Sequence, residues 1–147
     1  MTAELTVRLV GGPTTLIELG GVRLLTDPTF DPPGRRYSFG WGSSSHKLTG
    51  PAIAATDLGP IGALLVGHDH YGDNLGSAGR VLLQAAGAVL TTTTTGAGRL
   101  GGNARGLQPW ATTLLEAPGR PTIQITAIPC RHGPPLSRQS SNGTIPP

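Results

Sequence analysis

The chain has one cysteine, Cys130. That excludes an internal disulfide and fits a reducing compartment. Charged residues are 13% of the chain and aromatic residues 4%. The few basic side chains, among them Arg23, Arg80, Arg99 and Arg120, are scattered, with no aromatics interleaved. That pattern argues against a nucleic-acid-binding surface. Long hydrophobic runs are missing too: none approaches the ~20 residues that cross a bilayer. The N-terminus alternates polar and apolar residues and lacks the apolar core of a signal peptide. A cytoplasmic, soluble protein without a membrane span is the expectation.

What the chain does have is glycine and proline, 23 and 14 of its 147 residues. They fall between apolar stretches, where turns belong, and hydrophobic residues still make up 37%. A loop-rich globular domain follows, long enough to bury a core. The excess of 11 Lys and Arg over 8 Asp and Glu gives a net charge of +3, which is compatible with an anionic substrate.

Leu5 to Val10 alternates apolar and polar residues, as does a half-buried strand. Gly11-Gly12-Pro13 ends it, Thr14 to Leu19 reads as a second strand, and Val22 to Thr26 as a third. Gly20-Gly21 between the last two is a two-residue hairpin signal, since the tight turn needs positive φ. From Asp27 to about Gly50 the prolines and glycines predict no regular structure, only a flap carrying Tyr37, Phe39 and Trp41, with His46 exposed on it.

Ala63-Leu64-Leu65-Val66 is a continuous apolar run, expected of a strand buried on both faces. A helix is predicted over 75–86, capped by Asn74 and stopped by Gly87. Ala88 to Thr92 reads as a further strand. The glycine-rich 96–106 segment lacks the strand–turn–helix spacing of a dinucleotide fingerprint, and that reading is set aside. Thr112 to Ala117 and Thr122 to Ile128, around Pro118-Gly119, predict a second hairpin.

The chemistry gathers after the buried strand, in His68-Asp69-His70-Tyr71-Gly72-Asp73-Asn74. Two histidines two residues apart on an extended segment present their rings on one face. Converging imidazoles suit Zn²⁺, which takes about four donors near 2.0–2.1 Å. Asp69 or Asp73 is placed to bind a second ion, orient an imidazole or accept a proton from bound water. The bland alternative is a polar turn whose Asp73 and Asn74 only cap a helix. His132, which also follows an apolar strand, adds a third candidate donor.

Gly11-Gly12-Pro13-Thr14, Leu25-Thr26-Asp27-Pro28, Leu65-Val66-Gly67-His68-Asp69-His70, Asp73-Asn74-Leu75 and Arg131-His132-Gly133-Pro134 come in an order that resembles the metallo-β-lactamase superfamily. The resemblance is to its lactonase-like and phospholipase-D-like branch, related to L-ascorbate-6-phosphate lactonase, and runs from about Leu5 to Leu136. It implies an α/β (α+β) fold, half of a four-layer αββα sandwich, mostly antiparallel β-sheet with few helices. It also implies a domain over 1–136 with an irregular tail over 137–147.

The activity implied is metal-dependent hydrolysis of an ester, lactone or phosphoester in a small-molecule substrate. The cofactor would be Zn²⁺, as one or two ions, with Mn²⁺ or Fe²⁺ as substitutes. Carried over by position, His68, His70 and His132 would be metal ligands, Asp73 a base or further ligand, and Arg131 a contact for an anionic substrate. The family's His-x-His-x-Asp-His motif is incomplete here. Its Asp-His pair falls on Gly72 and Asp73 in one register and on Asp73 and Asn74 in the other, so a one-metal site is favoured. The second half of the sandwich is not in the chain, which leads to two further expectations: a catalytically inactive, truncated domain or interaction module as the alternative, and self-association through an exposed sheet.

Overall fold

A computed structural model describes residues 4–69, 73–91 and 93–129. His70, Arg131, His132, Cys130 and the 137–147 tail lie outside the described residues.

Among the described residues ten strands and two α-helices form, with one 3-10 turn at Ala55–Asp57. The three N-terminal strands are β1 (Leu5–Gly11), β2 (Thr14–Leu19) and β3 (Val22–Thr26), each within a residue or so of where the alternation puts it. Gly20 and Gly21 turn β2 into β3 with φ of 55° and 79°, values that cost glycine little and other residues much. Two short strands follow, β4 (Arg36–Gly40) and β5 (Ser43–His46). They form an antiparallel hairpin within the 27–50 segment, correcting the expectation of no regular structure there. Gly40 and Gly42, with φ of 80° and 73°, make the turn between its strands rather than preventing them. Tyr37 is buried, whereas Trp41 at the hairpin tip is fully exposed.

Next come β6 (Ala63–Val66), α1 (Ser77–Ala85), β7 (Ala88–Thr91), α2 (Thr94–Leu100), β8 (Ala104–Gly106), β9 (Thr112–Leu115) and β10 (Ile123–Thr126). The main sheet has the order β1-β2-β3-β6-β7-β8. Its first two pairings are antiparallel and the other three parallel. Parallel neighbours need a crossover; α1 provides it between β6 and β7, and α2 between β7 and β8. The helix α2 reaches into the glycine-rich 96–106 segment, for which the sequence predicted no element. Thr93 caps it, its Oγ1 accepting from Gly96 N at 2.8 Å, which satisfies one of the unpaired N–H groups of its first turn.

The sheet buries both faces. One face packs Leu16, Leu25, Leu64, Val66 and Val89 against Ala78 and Leu82 of α1 and against Phe30, Leu58 and Leu75. The other packs Leu24, Ala63 and Leu65 against Ile123, Leu115 and Ile125 of the β9–β10 hairpin. Neighbouring residues of β3 and β6 thus serve opposite cores, which is why β6 reads as an unbroken apolar run. No helix among the described residues is long and apolar enough to cross a membrane.

Helix α1 sits very close to the segment after β3. A Cβ built on Gly79 would lie 1.8 Å from the Pro28 carbonyl oxygen, and one on Gly76 2.5 Å from Asp31 Oδ2. The helix begins two residues later than expected, with Gly76 rather than Asn74 at its N-cap. Its capping comes from a distant residue. Asp31, buried, accepts from Ala78 N at 3.1 Å and from Ser77 Oγ at 3.2 Å. A carboxylate there satisfies the unpaired N–H groups and meets the positive end of the helix dipole.

Candidate active site

The site forms at the C-terminal ends of β3, β6 and β7, where parallel strands release their loops side by side. Thr14 fixes the first of these loops. Its hydroxyl donates to the Asp27 carbonyl at 2.7 Å and accepts from Thr29 N at 2.9 Å. Thr26 Oγ1 reaches back to the Pro13 carbonyl at 2.9 Å. The Gly-Gly-Pro-Thr turn thereby holds the Asp27 turn in place. Asp27 has φ of +34°, a left-handed conformation that costs a non-glycine residue and is kept only where surroundings enforce it.

Asp27 Oδ1 accepts from Gly67 N at 2.6 Å and from the Asn74 side-chain amide at 3.0 Å. The same amide nitrogen lies 3.0 Å from His68 Nδ1. A carboxylate, an amide and an imidazole are therefore linked across the ends of β3 and β6. Burial raises the Asp27 carboxyl to about 6, against a smaller lowering by the Gly67 N–H. Sequence reasoning did not single out Asp27 as a site residue. The available signals were its position at the end of a hairpin strand and its place in the Leu25-Thr26-Asp27-Pro28 motif; neither shows its partners, which are 40 and 47 residues away.

Asp69 is oriented differently. Arg99 on α2 donates to it twice, Nε to Oδ2 at 2.8 Å and Nη2 to Oδ1 at 2.7 Å. The Asp69 side chain is 7% exposed and that of Arg99 38%, so the pair is half-shielded and strongly directional. It joins the loop after β6 to α2 and raises the Arg99 guanidinium above its usual range, mainly through those hydrogen bonds.

Asp73 shows the complementary feature. Its Oδ1 is buried and has no hydrogen-bond partner among the described residues. An orphaned buried carboxylate oxygen is costly and is what a cation or a protonated group would satisfy. It lies near the Tyr37 and Asp31 pair, in which the Tyr37 hydroxyl donates to Asp31 Oδ2 at 3.2 Å. Burial, the Asp31 carboxylate and Asp73 together push the Tyr37 phenol up to about 12.

Of the residues expected to hold metal, His68 and Asp73 are therefore placed at this end of the sheet. His70 and His132, and the substrate contact Arg131, lie outside the described residues. His46 is exposed on β5, as expected. Among the described residues no group of three or more His, Cys, Asp or Glu converges on a common point. A cleft of about 230 Å³ opens beside Asp27 and Gly67. Its walls are Leu65, Leu90, Leu107, Ile125 and Ile128, an apolar lining with one carboxyl group at its edge.

The residues present fit a cation in their donor chemistry. Asp73 offers an unsatisfied carboxylate oxygen, and the His68 ring is anchored through one nitrogen, the arrangement that orients ligating imidazoles. With Asn74 donating, His68 Nδ1 is an acceptor and the ring proton sits on Nε2. With the amide turned over, its oxygen would accept from Nδ1–H, the tautomer in which Nε2 can ligate a metal, but that oxygen would then face Asp27 Oδ1, which requires the Asp27 carboxyl to be protonated.

Solved structures that resemble the chain include the following two. An isothiocyanate hydrolase from Delia radicum gut bacteria superposes with a TM-score of 0.56 at 20% identity, over 69% of this chain and 41% of that one. A variant of CmlA beta-hydroxylase gives a TM-score of 0.54 at 19% identity, over 79% of this chain and 23% of that one. Both are metallo-β-lactamase-fold proteins. The fold here is half of a metallo-β-lactamase sandwich. The chain spans less than half the length of either structure. Comparison with models of protein families and with curated proteins gave no match. In this half-sandwich, the ends of β3 and β6 carry Asp27 and His68 side by side.

Proposed function

We propose that the chain is a metal-dependent hydrolase of the metallo-β-lactamase type, acting on an ester, lactone or phosphoester of a small molecule. The observation that supports this best is the buried Oδ1 of Asp73, without a hydrogen-bond partner among the described residues, in the same loop as an anchored His68. His68, His70 and His132 would hold one ion, Zn²⁺ first, with Mn²⁺ or Fe²⁺ as substitutes. Such an ion, when bound, lowers the pKa of a coordinated water toward ~7 and polarises the scissile bond.

The protein's own groups have separate tasks. Asp73 accepts or positions the proton of the attacking water, or completes the ligand set. Asn74 fixes the His68 ring and is itself held by Asp27. Arg131 meets negative charge on the substrate. The apolar cleft beside Asp27 excludes water from the substrate's organic portion. The lone Cys130 supports a cytoplasmic setting.

Zinc content and hydrolysis test this reading together. The purified chain should carry zinc and turn over a lactone, carboxylic ester or phosphodiester; a His68→Ala/His70→Ala variant should lose both. Undiminished zinc in the double variant rejects the site.

A second reading, a catalytically inactive domain or interaction module of the same fold, is favoured by Asp69. Its carboxylate is committed to Arg99 rather than open to a second ion. Robust turnover by the purified chain excludes it.

A further inference from the structure

We propose that β1 is a dimerisation strand, pairing antiparallel with β1 of a second copy so that the two main sheets become one continuous sheet. The inference is independent of the metal reading. β1 is the terminal strand of the main sheet. Gly20 N donates to the Glu4 carbonyl, and the register runs Leu5↔Leu19, Thr6↔Glu18, Val7↔Ile17, Arg8↔Leu16. In an antiparallel ladder the hydrogen-bonded residues alternate. Glu4, Thr6 and Arg8 thus turn their backbone groups toward β2, and Leu5, Val7 and Leu9 turn theirs to the outer edge. The open stretch stops at Val10, whose carbonyl accepts from Ala52 N at 2.7 Å.

Leu5, Val7 and Leu9 also carry the wrong side chains for an edge left in water, being 60%, 61% and 67% exposed. They continue the sheet face on which Ile17 and Leu19 pack. Edge strands are normally protected by charge, proline or cover, and among the described residues this stretch has none on that face.

The strand is complementary to itself. A two-fold axis through Val7 sets Val7 opposite its copy and Leu5 opposite Leu9, and in that register every outward N–H and C=O of the three residues meets a partner. On the other face Arg8 stands opposite Thr6 and diagonal to Glu4, so no like charges are directly opposed. A register centred on Arg8 would oppose two guanidinium groups, and one centred on Thr6 would leave Leu9 unmatched. Such a contact is isologous and closes at two copies, with affinity resting on main-chain hydrogen bonds and a short apolar row.

Sedimentation velocity on the 147-residue chain, with the fold monitored by circular dichroism, tests the proposal. The wild-type chain should show a monomer–dimer equilibrium at micromolar concentrations. Val7→Lys and Val7→Glu, each placing like charges against each other on an exposed side chain, should weaken it about tenfold or more with the monomer still folded. Mixing the two variants should restore dimerisation as a heterodimer. A wild-type chain that stays monomeric, a dimer indifferent to both charges, or variants that dimerise no better mixed than apart would each overturn the proposal.

Discussion

Asp27 and Asn74 are 47 residues apart in the chain and 3.0 Å apart in the fold, the carboxylate accepting from the amide. That amide also touches the His68 ring. Asn74 is therefore a positioning residue for the imidazole, and Asn74→Ala should weaken zinc binding about 10–100-fold while leaving the melting temperature of the metal-free protein nearly unchanged. Titration calorimetry with zinc would read the effect; equal affinity in variant and wild type would show that the ring needs no such anchor.

The raised Asp27 carboxyl makes stability depend on pH with a defined sign. Its folded value of about 6 lies above the ordinary 3.8, so the folded state holds the proton more tightly than the unfolded one. Its contribution is full below pH 3.8 and is lost as the pH rises through about 6. Asp27→Asn keeps an oxygen for Gly67 N but removes the titration. The melting temperature of the wild type, relative to this variant, should fall between pH 4 and 6 and then level off; a difference that is flat or rises over that window contradicts the assignment.

Two glycines in helices should respond oppositely to alanine. At Gly79 the new Cβ would meet the Pro28 carbonyl oxygen, forcing α1 away from the segment after β3 at a cost of about 2 kcal/mol or more. At Gly98 in α2 nothing lies within 4 Å, so alanine's higher helix propensity should stabilise by about 0.5–1 kcal/mol. Urea denaturation of the two variants measures both signs.

Arg99→Ala removes two hydrogen bonds from a carboxylate that is 7% exposed. A buried charge without its partner is penalised more than the pair is favoured, and with Arg99 itself 38% exposed the loss should be about 1–3 kcal/mol. Denaturant unfolding of Arg99→Ala beside Asp69→Asn is the measurement. The neutral asparagine should cost less than the aspartate that has lost Arg99.

Much of this architecture could be read from residue pattern. Alternation in β1 to β3, the glycine pair between β2 and β3, the apolar β6 and the Pro118-Gly119 hairpin are local signals, and local geometry answers them. The misreadings share one cause. The β4–β5 hairpin and α2 are glycine-rich, and glycine marks both a turn between strands and the lack of structure; which it is depends on partners the pattern does not show. Asn74 looked like a cap because Asn before an apolar repeat usually is one, but Asp31, 46 and 47 residues upstream of the groups it binds, does the capping.

The sequence by itself determined where β1 to β3, β6, β7 and the last hairpin form, that β6 is buried on both faces, and that His68 and Asp73 share a loop after a buried strand. These follow from side-chain period and backbone preference, which act over a few residues. The tertiary structure alone decided that Asp27 reaches Gly67 and Asn74, that Asp69 is bound to Arg99 while Asp73 Oδ1 has no partner among the described residues, and that Leu5, Val7 and Leu9 lie on the outer strand of the described sheet. Hydrogen bonds and ion pairs between distant residues depend on how the chain crosses over and which strand ends last in the sheet, and no short stretch of sequence carries that information.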